Sequence, residues 1–142
     1  MMDSAPLTVT RAMTLDLIDA SGAATPLEAK LRYESDDPYA ISAEFSTGAE
    51  SVGWVFARDL LASGLYEPAG DGDVHVWPCL DVRGRAVVIF ELCSPDGEAL
   101  LQARADEVAD FLQSTRDLVP QGSEGAHVDL DELVTRLLAD PA

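Results

Sequence analysis

Apolar residues alternate with polar ones along much of the chain. From Leu7 to Leu17 the odd positions read Leu, Val, Arg, Met, Leu, Leu against Thr8, Thr10, Thr14 and Asp16. That period of two predicts a half-buried strand with Arg11 as its one misfit. Ser21-Gly22 with Pro26 marks a turn, and Leu27, Ala29, Leu31 and Tyr33 then alternate strictly with Glu28, Lys30, Arg32 and Glu34. Asp36-Asp37-Pro38 breaks this strand, and Tyr39, Ile41, Ala43 and Phe45 return as an antiparallel neighbour. Val52, Trp54 and Phe56 suggest a third crossing. Arg58 to Ser63 reads as a short helical turn closed by Gly64 at a left-handed C-terminal cap.

The second half repeats this order. Val74 to Trp77, Ala86 to Leu92 and Glu98 to Ala103 read as strands, with Pro95-Asp96-Gly97 as a tight turn between the last two. Ala86 to Phe90 is apolar on both faces, so it is expected inside a sheet, where an edge would expose it to aggregation. Ala105, Val108, Ala109, Phe111 and Leu112 line one side of a helix that ends before Pro120. After a polar loop from Gln121 to His127, Leu130, Leu133, Val134, Leu137 and Leu138 follow helical spacing, with Asp129 and Glu132 as a capping pair. Antiparallel strands followed by a helix, twice, predict an α+β domain covering residues 1–142.

Composition narrows the partners. Nine Lys and Arg stand against 26 Asp and Glu, a formal net charge of -17. Such a field repels phosphate backbones and anionic headgroups, so nucleic acid is not an expected partner, and any membrane association is expected to be indirect or peripheral, without direct insertion. No apolar run approaches the roughly 20 residues needed to cross a bilayer. Two cysteines, Cys79 and Cys93, do not make a disulfide framework, and the start of the chain does not resemble a secretory leader. The expectation is a cytoplasmic protein.

The motifs with possible chemistry each have a simpler structural reading. His75 and Cys79 fall four apart in a predicted strand, roughly 13 Å at about 3.3 Å per residue, which is too far to share a zinc ion. Cys79 and Cys93 are therefore expected to pack as small hydrophobes, with no metal or other cofactor. Gly70-Asp71-Gly72-Asp73 starts like a calcium loop but lacks its distal ligands, and reads as a turn. Asp36-Asp37-Pro38 could divide acid and base roles between two carboxylates, yet Asp before Pro is turn chemistry. Trp54 to Arg58 could stack nucleic-acid bases, but in so acidic a chain it is expected in the core. With no phosphate loop, dinucleotide fingerprint or nucleophile elbow, no catalytic residue is assigned.

Several blocks together resemble a known family. Leu31-Arg-Tyr33, Asp37-Pro-Tyr-Ala40, Trp54-Val-Phe-Ala-Arg-Asp-Leu-Leu61, Gly64-Leu65 and Gly72-Asp-Val74 resemble the signature blocks of the SsgA-like proteins in order and spacing. Val76-Trp-Pro78, Ser94-Pro95, Gly97-Glu-Ala-Leu-Leu101, Phe111-Leu112, Val119-Pro120 and Asp129-Leu-Asp131 extend the likeness, from about Pro26 to Leu138. The stretch Glu124-Gly125-Ala126-His127 departs from it in being less basic.

The resemblance implies a non-enzymatic adaptor of sporulation-specific cell division that recruits the tubulin-like GTPase FtsZ to future septum sites. It implies a second SsgA-like protein as a partner, self-association as a homotrimer, and a fold of two antiparallel sheets with helices similar to the whirly-type nucleic-acid binders. That likeness offers single-stranded nucleic-acid binding as the alternative. For an adaptor, exposed residues of compact loops are the expected contacts, here Asp36, Asp37, Arg58, Asp71 and Asp73.

Overall fold

The alternating segments pair as their periodicity requires. The computed structural model describes residues 7–127. In it Thr8–Ile18 (β1) and Ala24–Glu34 (β2) form a long antiparallel ladder, with Thr8 opposite Glu34 and Ile18 opposite Ala24. Ala40–Ser46 (β3) and Ser51–Ala57 (β4) complete a four-strand meander, and Arg58–Gly64 (α1) follows. Ala69–Asp71 (β5), Val74–Leu80 (β6), Ala86–Ser94 (β7) and Gly97–Arg104 (β8) form a second meander, followed by Ala105–Leu118 (α2) and a 3-10 turn at Glu124–His127. The helix expected over Leu130 to Leu138, with its Asp129 and Glu132 capping pair, lies outside the described residues.

The α+β class holds, but the expected two sheets are one. The strands run in the order β4-β3-β2-β1-β8-β7-β6-β5. Three pairs, Asp16 with Gln102, Leu17 with Leu101 and Ile18 with Leu100, join the halves. Each meander would otherwise expose an open edge at β1 or β8, and this seam covers part of both. β7 lies between β6 and β8, and its Val87, Val88, Ile89 and Phe90 are all buried.

The sheet curls. Phe56 on β4 and Phe90 on β7 have four strands between them in its order, β3, β2, β1 and β8, yet their ring centroids are 6.1 Å apart. The concave face holds Leu15, Leu31, Val76, Val88 and Leu101, and the two helices add Leu60, Leu61, Val108, Phe111 and Leu112 to the same core. Both helices therefore lie on this face. Burying a Leu or Phe side chain stabilises by roughly 1.5–3 kcal/mol, which makes this shared cluster the main favourable term.

Three local expectations change. Gly64 does not adopt a positive φ. It ends α1 directly against β6, where a Cβ would collide with the side chain of Val76, so close approach and not turn geometry explains the glycine. Arg11 lies on the inward-facing register of β1 and reaches α2, with Nη2 3.8 Å from Glu107 Oε2. Pro26, expected at a turn, and Pro78, just past the strand expected to end at Trp77, are tolerated inside β2 and β6. β3 pairs with β2 only from Glu28 onward and β5 with β6 only as far as Val76, so each proline has an unpaired side on which its missing N–H is not needed.

Candidate functional site

Arg58, expected as an exposed partner contact, is only 3% exposed. It opens α1 directly after β4, and its backbone N–H donates to the Tyr39 carbonyl. Its guanidinium donates through Nη1 to the carbonyls of Thr115 at 3.2 Å and Val119 at 2.8 Å, and through Nη2 to Glu124 Oε2 at 2.8 Å. The Tyr33 ring lies 4.9 Å from its Cζ, and the Tyr33 hydroxyl donates to the Pro38 carbonyl. Thr115 and Val119 are at the end of α2, where carbonyls lack helical partners and the dipole favours a cation. Arg58 thus ties α1, the end of α2 and the 3-10 turn together. The acidic residue at Glu124 is its counter-ion, which explains why this stretch is not basic.

The four aspartates expected as contacts are exposed but not gathered. Asp36 and Asp37 sit in the β2–β3 turn, next to Glu34, which pairs with Thr8 at the start of β1. Asp71 and Asp73 belong to the β5–β6 hairpin, at the sheet end where Leu92 pairs with Ala99, beyond the Ile18–Leu100 pair at the other end of β1. Register therefore places the two pairs at opposite ends of the sheet along the strand direction. The Gly70-to-Asp73 segment is a tight turn, with Gly72 at φ 62.

A groove of about 610 Å³ lies on the outer face of the sheet, opposite the helices. Ile18, Trp77, Ile89 and Leu100 form its floor, and Arg83 and Arg85 stand at its rim. Two hairpin turns of the same construction border it. Asp19 Oδ1 accepts from the backbone N–H groups of Ser21 and Ala23, and Asp81 Oδ1 from those of Arg83 and Arg85. Gly22 and Gly84 each supply the positive φ that closes the turn. These bonds hold both carboxyls below their ordinary values, led by the Ser21 side chain for Asp19 and the Arg85 backbone for Asp81. Leu80, at the end of β6, and Val82, in the second turn, are exposed. The Asp-x-x-Gly spacing is visible in both turns, yet the pattern of strands alone did not single out Asp81 to Arg85.

On the same face, cross-strand pairing brings His75, Glu91 and Cys93 together, with one ligand atom of each within 4.8 Å of the others. Cys79, expected to pack as a small hydrophobe, is exposed and Cys93 only partly buried, and along its own strand His75 has no ligand neighbour in Cys79. The partner is on the next strand, since His75 lies opposite Glu91 and Cys93 follows two residues later. A further cleft of about 380 Å³ opens between the β3–β4 and β7–β8 hairpins, floored by Phe45, Trp54 and Leu92 with Glu50 and Glu98 beside them.

A family model for the Streptomyces sporulation and cell division protein SsgA matches residues 27–124. The chain belongs to the SsgA family. It is 49% identical over 134 residues to the sporulation-specific cell division protein SsgB of Streptomyces coelicolor, covering 94% of this chain and 97% of that protein. It is 41% identical to the SsgB of Thermobifida fusca, across 97% of this chain and all of that one. A solved structure concerning SsgB in longitudinal cell division of Streptomyces coelicolor superimposes with a TM-score of 0.82 at 50% identity, covering 86% of this chain and 96% of that one. The crystal structure of an SsgA-like sporulation-specific cell division protein from Thermobifida fusca gives 0.85 at 40% identity, over 95% and 98%. The SsgA-like blocks that carried the resemblance converge in space: Tyr33, Pro38, Arg58 and Val119, from four of them, meet in the buried network.

Proposed function

We propose that this chain acts in sporulation-specific cell division as a non-enzymatic adaptor that recruits or positions FtsZ at future septum sites, together with a second SsgA-like protein. The observation that carries the reading is the outer-face groove, where an apolar floor meets two arginines on an otherwise strongly acidic protein. Such a surface suits an acidic segment with apolar anchors, because the arginines attract the charge and Trp77 and Ile89 receive the side chains. FtsZ supplies that segment. Assembly as a homotrimer, residence at the septum and a whirly-like relationship belong to the same reading. Among the described residues no helix is long and apolar enough to cross a membrane, so septal placement is assigned to the partners.

The test is light scattering of the purified protein alone and with FtsZ, repeated with Val82→Asp/Arg83→Glu, Asp36→Lys/Asp37→Lys and Asp71→Lys/Asp73→Lys. Loss of FtsZ binding in the first variant, with the mass of the free protein unchanged, supports the groove. Loss in either aspartate variant alone moves the contact to that turn. A lower mass of the free protein in the groove variant assigns this face to self-association instead. Salt-dependent binding of single-stranded DNA would overturn the adaptor reading.

A further inference from the structure

We propose that His75, Glu91 and Cys93 form a binding site for a zinc-class divalent cation on the outer face of the sheet. The three side chains come from two adjacent strands and share a face, because His75 and Glu91 are register partners and Cys93 is two residues along β7. Their ligand atoms lie within 4.8 Å of one another. Bond lengths of about 2.0–2.3 Å place tetrahedral zinc ligands roughly 3.3–3.8 Å apart, so modest side-chain rotation closes the set. His75 and Glu91 are partly exposed, which leaves room for that rotation.

The histidine is held for this role. Gly70 lies opposite it on β5, and a Cβ there would collide with the imidazole Cδ2, so the ring rests against bare backbone. That seating turns Nδ1 toward β7, 3.4 Å from Glu91 Oε1. Nδ1 is buried and makes no hydrogen bond, and with Glu91 Oε1 3.4 Å away a cation between the two would satisfy both atoms. A glycine at this position, inside a strand, otherwise weakens the strand.

The electrostatics favour a cation. Register places Asp73 and Glu98 on either side of Cys93, and Glu91 lies on the same face. Desolvation, then the carboxylates of Glu91, Glu98 and Asp73, push the Cys93 thiol up. A bound dication reverses the balance, taking the thiolate and releasing its proton to solvent. The mixed nitrogen, sulfur and oxygen set selects against calcium and magnesium, which take oxygen ligands, and for zinc. The fourth position falls to water or to Glu98, whose Oε2 is 3.9 Å from the Cys93 sulfur.

Cobalt(II) titration of the whole protein reads the site directly. The expected result is one equivalent bound with a thiolate-to-cobalt charge-transfer band, displaced by zinc. Cys93→Ser abolishes the band, Cys79→Ser keeps it, and His75→Asn or Glu91→Gln weakens binding at least about tenfold. Unfolding midpoints without metal should match the wild type in all four variants, since these side chains are not in the core. No thiolate band under stoichiometric cobalt, or a band that survives Cys93→Ser, overturns the proposal.

Discussion

Arg58 and Glu124 are 66 residues apart in sequence and form a buried ion pair of 2.8 Å. The pair is fully engaged, since the Arg58 Nη1 also meets the Thr115 and Val119 carbonyls and Glu124 Oε1 accepts from the Gly122 N–H. A buried charge is tolerated when its donors and acceptors are satisfied in this way, and is costly when they are not.

Arg58→Ala should therefore lower stability by about 3–5 kcal/mol, because the α2 carbonyls and Glu124 lose their partner together. Urea denaturation followed by circular dichroism measures it. Arg58→Lys should recover only part, since an ammonium cannot reproduce the planar fork that reaches two carbonyls and a carboxylate. A loss below 1 kcal/mol for the alanine variant would show that the network contributes little.

The pair also sets a pH dependence. The Arg58 hydrogen bond, the largest cause, holds the Glu124 carboxyl below its ordinary value of 4.5. The folded state then binds this proton less readily than the unfolded state. Its stabilising contribution is complete above about pH 4.5 and is lost as pH falls through the depressed value. Glu124→Gln should be less stable than wild type near neutrality and show a shallower decline in acid, read from unfolding midpoints across a pH series.

Gly64→Ala tests the close approach of α1 to β6. A Cβ at 64 meets Val76 inside the core, and the helix end must shift to admit it. Overpacking of this kind costs about 1–3 kcal/mol, although alanine is the better helix former. Pairing it with Val76→Ala should recover part of the loss in a double-mutant cycle. If Gly64→Ala is stabilising, α1 does not pack as tightly as described.

Asp81→Ala tests the hairpin at the groove rim. The Asp81 carboxylate accepts from the Arg83 and Arg85 N–H groups and from Arg85 Nε. Its loss should speed amide hydrogen exchange at Arg83 and Arg85 while leaving exchange in β7 unchanged. The same loosening is expected in the wild type as pH falls through the depressed value of Asp81, where the carboxyl becomes protonated. Unchanged exchange in the variant would show that the backbone alone sets the turn.

Local pattern determined much of this protein. Strict alternation from Leu27 to Tyr33 and the doubly apolar run from Ala86 to Phe90 specified an outward-polar strand and an interior one, and both stand where burial requires. Spacing also specified α2 and the turns at Asp36 and Gly72, since periodicity and turn chemistry are properties of a few neighbouring residues. Only the tertiary structure decided how the halves meet. The seam at Ile18 and Leu100, the burial of Arg58 against Glu124 and the grouping of His75 with Cys93 each join residues distant in sequence. Such contacts depend on cross-strand register and on the curl of the sheet, and no window of adjacent residues carries either.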